Sequence, residues 1–143
     1  TMENLAEDLL FIKQLRPEMI GIGPFISHHD TPFADQPPGS MENTLLMIGI
    51  LRLMLPNALI PATTALGTIN SGGRARGILA GANVLMPNLS PQEVRKKYAL
   101  YDNKICTDEE AAEGILQLRE SIEKLGYKIK TDRGDFKPLN SRM

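Results

Sequence analysis

Met19-Ile20-Gly21-Ile22-Gly23-Pro24-Phe25 carries most of the information on fold class in this sequence. It is a short apolar run that stops at glycine and proline, and two later runs, at residues 58–62 and 83–86, are built in the same way. Helical patterns separate the three runs. Buried strands that alternate with helices are typical of a parallel sheet covered by helices. The sequence therefore predicts an α/β fold made of consecutive βα units.

The ends of these runs are the first places to expect a site. In parallel α/β folds the chemistry lies beyond the carboxyl ends of the strands, which here are Gly23, Thr63, Thr64 and Met86. The two threonine hydroxyls have two readings. They can bond loop carbonyls and cap a strand end, or they can anchor a carboxylate or another anion. Residue types alone support both readings equally.

Composition narrows the class of protein. The chain has 143 residues, of which 42% are hydrophobic, and its formal net charge is -1. These values predict one globular unit, over residues 1–129, with a polar tail at 130–143. The sequence contains no run of lysine or arginine of the kind that would indicate a nucleic-acid or membrane partner. Its longest apolar stretch, residues 45–55, is too short to span a bilayer. The single cysteine, Cys106, fits a reducing cytoplasm.

Periodicity and punctuation predict the remaining elements. Helices are expected over residues 1–15, 40–55, 74–80, 92–97 and 108–125, a turn-rich loop over 67–73, and a short edge strand at 127–129. Three or four strands cannot close a barrel, which needs about eight. The pattern alone therefore leaves two architectures open, a small open α/β sandwich and a portion of a larger barrel.

Three further groups carry possible chemistry. His28-His29-Asp30 has the residue types of a metal site, but the chain has no other histidine and a zinc ion needs a third ligand, so we predict a hydrogen-bonded loop and no metal site. Gly72-Gly73-Arg74 is a weak candidate for an anion cradle. Tyr98 and Tyr101 lie three positions apart and share one face if the chain is helical there, where they would pack against a helix or contact a ligand.

Four strings, in this order along the chain, resemble one known family. They span residues 19–25, 28–32, 60–68 and 81–88, and the similarity extends from Thr1 to about Leu125. The family is that of the FeFe-hydrogenase maturase HydE, a radical SAM group related to biotin synthase and methylornithine synthase. The resemblance implies that the chain is the carboxyl-terminal part of a TIM-type (β/α)8 barrel. It also implies an enzyme that uses S-adenosylmethionine and a 4Fe-4S cluster to make a 5′-deoxyadenosyl radical, in the assembly of the hydrogenase active-site cluster.

The resemblance also implies roles for individual residues. A cofactor-binding set would lie along the adenosine end of S-adenosylmethionine and beside it in the cavity, namely Met19, Gly21, Ile22, Gly23, Pro24 and Met86. Thr63 and Thr64 would bind the carboxylate or other anionic group of a small substrate. Tyr98 and Tyr101 would border the substrate pocket.

One departure from the family limits what the chain can do alone. The three-cysteine motif that holds the radical SAM cluster is not in this sequence, and one cysteine cannot bind that cluster. We therefore expect the isolated chain to be catalytically inactive and to retain no cofactor. The expected partner is the missing amino-terminal half-barrel or a second copy of the chain. The alternative is a non-catalytic α/β binding or interaction module that associates through an open sheet edge.

Overall fold

The computed structural model describes residues 1–98, 100–105, 111–131 and 133–138. Within these residues the chain forms six α-helices, with a 3-10 helix at Lys96–Tyr98 after the fifth. They are α1 (Met2–Leu15), α2 (Met41–Met54), α3 (Thr64–Ile69), α4 (Gly73–Ala80), α5 (Gln92–Arg95) and α6 (Ala111–Lys124). None of the described helices has both the length and the apolar character that crossing a bilayer requires.

Local signals account for the first two helices, and both predictions are confirmed. The Thr1 hydroxyl accepts a hydrogen bond from the backbone N–H of Asn4 at 3.3 Å, which caps α1. Ser40 caps α2 in the same way, through the N–H of Asn43 at 3.2 Å. Pro17 and Pro56 lie just beyond the two helix ends, where proline excludes further helix.

The later helices agree with the sequence in part. Helix α4 confirms the prediction for residues 74–80, and Gly81 ends it with a φ of 126°. The helix predicted over residues 92–97 corresponds to α5 and the 3-10 helix that follows it. Helix α6 confirms the long amphipathic helix predicted over 108–125. The first predicted residues of that helix, 108–110, lie outside the described residues. Helix α3 is a correction, because residues 67–69 were predicted as loop. Its Leu66 is fully buried, so tertiary packing outweighs the glycine at position 67.

The predicted α/β class, and with it the partial (β/α)8 barrel, is wrong for the described residues, which contain no β-strand. The apolar runs meet only at two isolated parallel bridges, Met19 with Leu59 and Pro61 with Val84. Two features interrupt a continuous ladder. Pro61 has no N–H to donate, and the N–H of Ile60 donates to the side-chain oxygen of Asn83 at 2.8 Å instead of to a backbone carbonyl. The predicted edge strand at 127–129 is likewise absent from the described chain.

The core lies between these runs and the helices. Among the described residues, the largest fully buried side chains come from α2, α3 and the 58–62 run: Ile48, Leu51, Leu66 and Ile60. Helix α4 packs against both α2 and α3. This packing holds the end of the 58–62 run, and the threonines that follow it, on a rigid support. At the opposite end of that run, the side chain of Asn57 donates to the carbonyl of Lys137 at 3.0 Å, which ties residues 133–138 to the α2 terminus.

Candidate functional site

Gly23 and Thr63 approach each other closely at the predicted site. A Cβ added to Gly23 would lie 2.8 Å from the Thr63 side-chain oxygen, so only glycine allows this approach. That oxygen is buried and has no hydrogen-bond partner among the described residues. Thr63 is the N-cap residue of α3, but its side chain makes no capping hydrogen bond. A buried hydroxyl without a partner carries a desolvation penalty of about 1–3 kcal/mol, which a ligand that bonds to it would relieve.

A cavity of about 170 Å³ brings together three of the predicted site residues, Thr64, Met86 and Tyr98. Two cationic side chains, Arg74 and Lys104, line the same cavity, and its remaining walls are Asn88, Ser90 and Ile105. Pockets for whole drug-sized ligands measure about 300–1,000 Å³. This one therefore suits a small charged group and not an entire cofactor.

The 100–105 loop supplies one wall of the cavity, and contacts with Thr68 and Tyr98 help to hold it there. The backbone N–H of Ile105 donates to the side-chain oxygen of Thr68 on α3 at 3.3 Å. Lys104 donates through Nζ to the carbonyl of Tyr98 at 3.0 Å and lies 5.9 Å from the centre of the Tyr101 ring. The Lys104 charge is therefore held at the rim of the cavity by the residues around it.

The other predicted residues are not gathered at this cavity. Met19 lines a separate cavity of about 550 Å³ with Leu59 and Ile129. Gly21 faces open space, Ile22 packs against the core, and Pro24 is buried. Tyr101 is half-buried and does not line this cavity, although Lys104 Nζ lies 5.9 Å from the centre of its ring.

Sequence reasoning found some of the cavity residues and missed others. Arg74 was indicated weakly by the Gly-Gly pair before it. Lys104 carried no local signal, because its position depends on the docking of the 100–105 loop onto Thr68. Asn88 and Ser90 follow the third apolar run and could have been found as the polar residues at its end.

A second polar cluster joins the 26–39 loop to the 100–105 loop. His29 Nδ1 lies 2.8 Å from Asp102 Oδ1, and the backbone N–H of His29 donates to Asp102 Oδ2 at 3.0 Å. The hydrogen bond with Asp102, followed by the charge of Asp30, raises the pKa of His29. The same hydrogen bond lowers the pKa of Asp102. No sequence pattern predicts this pairing, since the two residues are 73 positions apart.

The site can be tested for its fit to the cofactors that the resemblance implies. A 4Fe-4S cluster does not fit this chain, whose one cysteine, Cys106, lies outside the described residues. S-adenosylmethionine is compatible with the 19–24 segment, where Gly21 leaves open space and Gly23 allows close approach to an unpartnered hydroxyl. The 19–24 segment thus leaves room for the organic cofactor, whereas the chain lacks the cysteines for the inorganic one.

Comparison with known proteins gives the family context. The chain is 46% identical over 137 residues to the [FeFe] hydrogenase maturase subunit HydE of Thermotoga maritima, which is 96% of this chain and 39% of the maturase. It is 31% identical over 112 residues to the 3-methylornithine synthase of Methanosarcina barkeri and 29% identical over 125 residues to that of Methanosarcina acetivorans. These matches cover 78% and 87% of this chain, and 31% and 34% of the two synthases. No protein-family model matches the chain.

The chain thus spans between about a third and two fifths of the length of the curated relatives it matches. The class that these similarities define is the radical SAM group predicted from the four strings. Within that class, the resemblance to HydE is confirmed, and the chain corresponds to part of a HydE-like protein.

Proposed function

We propose that this chain supplies contacts to S-adenosylmethionine and to a small anionic substrate within a HydE-like radical SAM enzyme. The observation that carries the proposal is the convergence at the 170 Å³ cavity. There, Thr64, Met86 and Tyr98, which the resemblance predicts as ligand contacts, share one space with the cations Arg74 and Lys104. Two cations beside hydroxyl donors favour a carboxylate or another small anion.

The two halves of the site have different roles in this proposal. The 19–24 segment and Met86 contact the cofactor, and Thr63 offers its buried hydroxyl where that segment passes at Gly23. Thr64 binds the anionic group of the substrate together with Arg74 and Lys104. Tyr98 and Tyr101 border the pocket, Tyr101 by supporting Lys104.

A titration of the isolated chain tests the anion site. Acetate, at constant ionic strength, is added to the 15N-labelled chain while amide shifts are followed. We expect saturable shifts confined to residues around the cavity, and at least a threefold loss of affinity in Lys104→Met. Lys13→Met, which removes an exposed lysine from α1, is the charge-matched control and should bind as the parent does. Equal weakening in both variants would show that acetate senses only the net charge and would remove the support for a specific site.

The isolated chain is proposed to be inactive. One cysteine cannot hold the radical SAM cluster, so the purified chain, incubated with iron, sulfide and reductant, should not cleave S-adenosylmethionine. Formation of 5′-deoxyadenosine above the level of a protein-free control would overturn this part of the proposal.

We also propose that the protein is cytoplasmic, because its single cysteine fits a reducing compartment.

The proposed partner is a polypeptide that corresponds to the rest of a HydE-like protein, with a second copy of this chain as the other candidate. Support comes from α1, where Leu10, Phe11 and Leu15 are each about 60% exposed. Apolar side chains in such a group mark a surface that contacts another protein. Size-exclusion chromatography with light scattering checks this. A dimer or a stable complex is expected, whereas a monomer that also fails to bind the complementary part of HydE would contradict it.

A further inference from the structure

His28, His29 and Asp102 bring three metal-binding side chains to one point on the surface, and the proposed function leaves them without a role. One candidate ligand atom from each lies within 4.8 Å of the other two. In the sequence, the nearest candidates for a third ligand lie in the same loop as His28 and His29. The fold supplies one from the 100–105 loop, 73 positions beyond His29.

Backbone contacts hold the carboxylate in place. The N–H of Asp102 donates to the carbonyl of Ser27 at 3.0 Å, and the N–H of His29 donates to Asp102 Oδ2 at 3.0 Å. Asp102 Oδ1 therefore stays 2.8 Å from His29 Nδ1 without depending on long, flexible side chains. A ligand pair that is already ordered loses little entropy when an ion binds.

The two atoms now share a proton, which an ion can replace after a small adjustment. Bonds of zinc to histidine nitrogen and carboxylate oxygen are about 2.0–2.2 Å, so two ligand atoms of a tetrahedral site lie roughly 3.4 Å apart, and His29 Nδ1 and Asp102 Oδ1, at 2.8 Å, have to separate slightly. The His28 ring stacks on that of His29, with centroids 4.5 Å apart. Its Nδ1 accepts the N–H of Asp30 at 3.1 Å, a solvent-exposed bond that water can replace while the ring turns toward the ion.

We propose that His28, His29 and Asp102 form a binding site for a divalent transition-metal ion, with water at the remaining positions. Two imidazoles and one carboxylate suit zinc, nickel or copper, and not magnesium or calcium, which prefer oxygen ligands alone. The ion would fasten the 26–39 loop to the 100–105 loop, and the latter carries Lys104 of the cavity. The proposal does not depend on the proposed function, since the three ligands lie outside the cavity.

Zinc alone is the probe. The full chain, prepared without a polyhistidine tag and stripped of metal, is titrated with Zn²⁺ in competition with a chromophoric chelator at pH 8, because imidazole must release its proton to bind a metal. We expect one equivalent per chain, and at least a tenfold loss of affinity in both His29→Gln and Asp102→Asn. Asp35→Asn, an exposed aspartate of the same loop outside the cluster, should bind zinc as the parent does.

Three outcomes overturn the proposal. These are no stoichiometric zinc in the parent chain, unchanged affinity in His29→Gln, or a loss of affinity in Asp30→Asn with none in Asp102→Asn. The last would place the ion on Asp30, whose Oδ2 lies 3.3 Å from His29 Nε2. Circular dichroism verifies that each variant folds. Should Asp102→Asn lose helical signal, the result for His29→Gln decides between the outcomes, because that variant leaves the Asp102 carboxylate unchanged, as well as the hydrogen bond from the Asp102 backbone N–H to the Ser27 carbonyl.

Discussion

Replacement of Thr63 by valine should stabilise the protein while removing a ligand contact. The Thr63 hydroxyl is buried without a partner in the described chain, so it carries a desolvation penalty that no internal hydrogen bond offsets. Valine has nearly the same shape and no polar atom. We expect the free energy of unfolding to rise by about 1 kcal/mol, the low end of the 1–3 kcal/mol that such a group costs.

Thr44 provides the matched control. It is also buried, but its hydroxyl donates to the carbonyl of Ser40 at 2.9 Å. Thr44→Val should therefore lower the free energy of unfolding by about 0.5–1.5 kcal/mol. The same substitution is thus expected to act in opposite directions at the two positions.

Urea denaturation followed by helical circular dichroism measures both changes. With a slope of about 2 kcal/mol/M, a gain of 1 kcal/mol moves the midpoint up by about 0.5 M. A Thr63→Val variant that loses 1 kcal/mol or more would refute the reasoning, because it would mean that the hydroxyl has a partner within the folded protein. Gain of stability at the expense of ligand binding is the pattern expected of a functional site.

Four further substitutions, one of them an exposed control, test the packing that supports the site, each by urea denaturation. Leu51→Ala should cost about 2–5 kcal/mol because Leu51 is fully buried, whereas Leu53→Ala, at a position 83% exposed, should change stability by less than about 0.5 kcal/mol. Similar losses at the two positions would contradict the assigned core face of α2. Gly81→Ala should cost more than about 1 kcal/mol, because φ is 126° and the new Cβ would lie 2.8 Å from that of Arg52, and a neutral result would refute this. Arg52→Met removes donors to the carbonyls of Gly81, at 2.8 Å, and Pro56, at 2.7 Å, so we expect a loss of about 1–3 kcal/mol; no loss would show that water satisfies both carbonyls.

The helices were the predictable part of this fold because their signals are local. Thr1 and Ser40 each cap a helix within three residues, and Pro17 and Pro56 mark the ends of the first two. The pairing of the apolar runs is not local. Whether the 58–62 run extends into a strand depends on what meets the N–H of Ile60, which here is a side chain of the next run.

The residues of the candidate site likewise divide into those with a local sequence signal and those placed by long-range contacts. The presence of Thr64 and Met86 at one cavity could be expected because each lies in a recognisable string at the end of an apolar run, whereas Tyr98 was named only because the resemblance implies a role for it. Lys104 and Asp102 could not, since both lie on a loop whose place is set by contacts with Thr68 and Ser27, far away in the sequence. The charge of the cavity and the second cluster are therefore tertiary features.

A chimera gives the most direct test of the central claim. The chain replaces the corresponding 137 residues of Thermotoga maritima HydE, and the purified, iron-sulfur-reconstituted protein is assayed for 5′-deoxyadenosine formed from S-adenosylmethionine. The account predicts cleavage by the chimera, at least a tenfold lower rate in its Thr63→Val, Thr64→Val double variant, and none by the isolated chain. A folded, cluster-loaded chimera that leaves S-adenosylmethionine intact would contradict it.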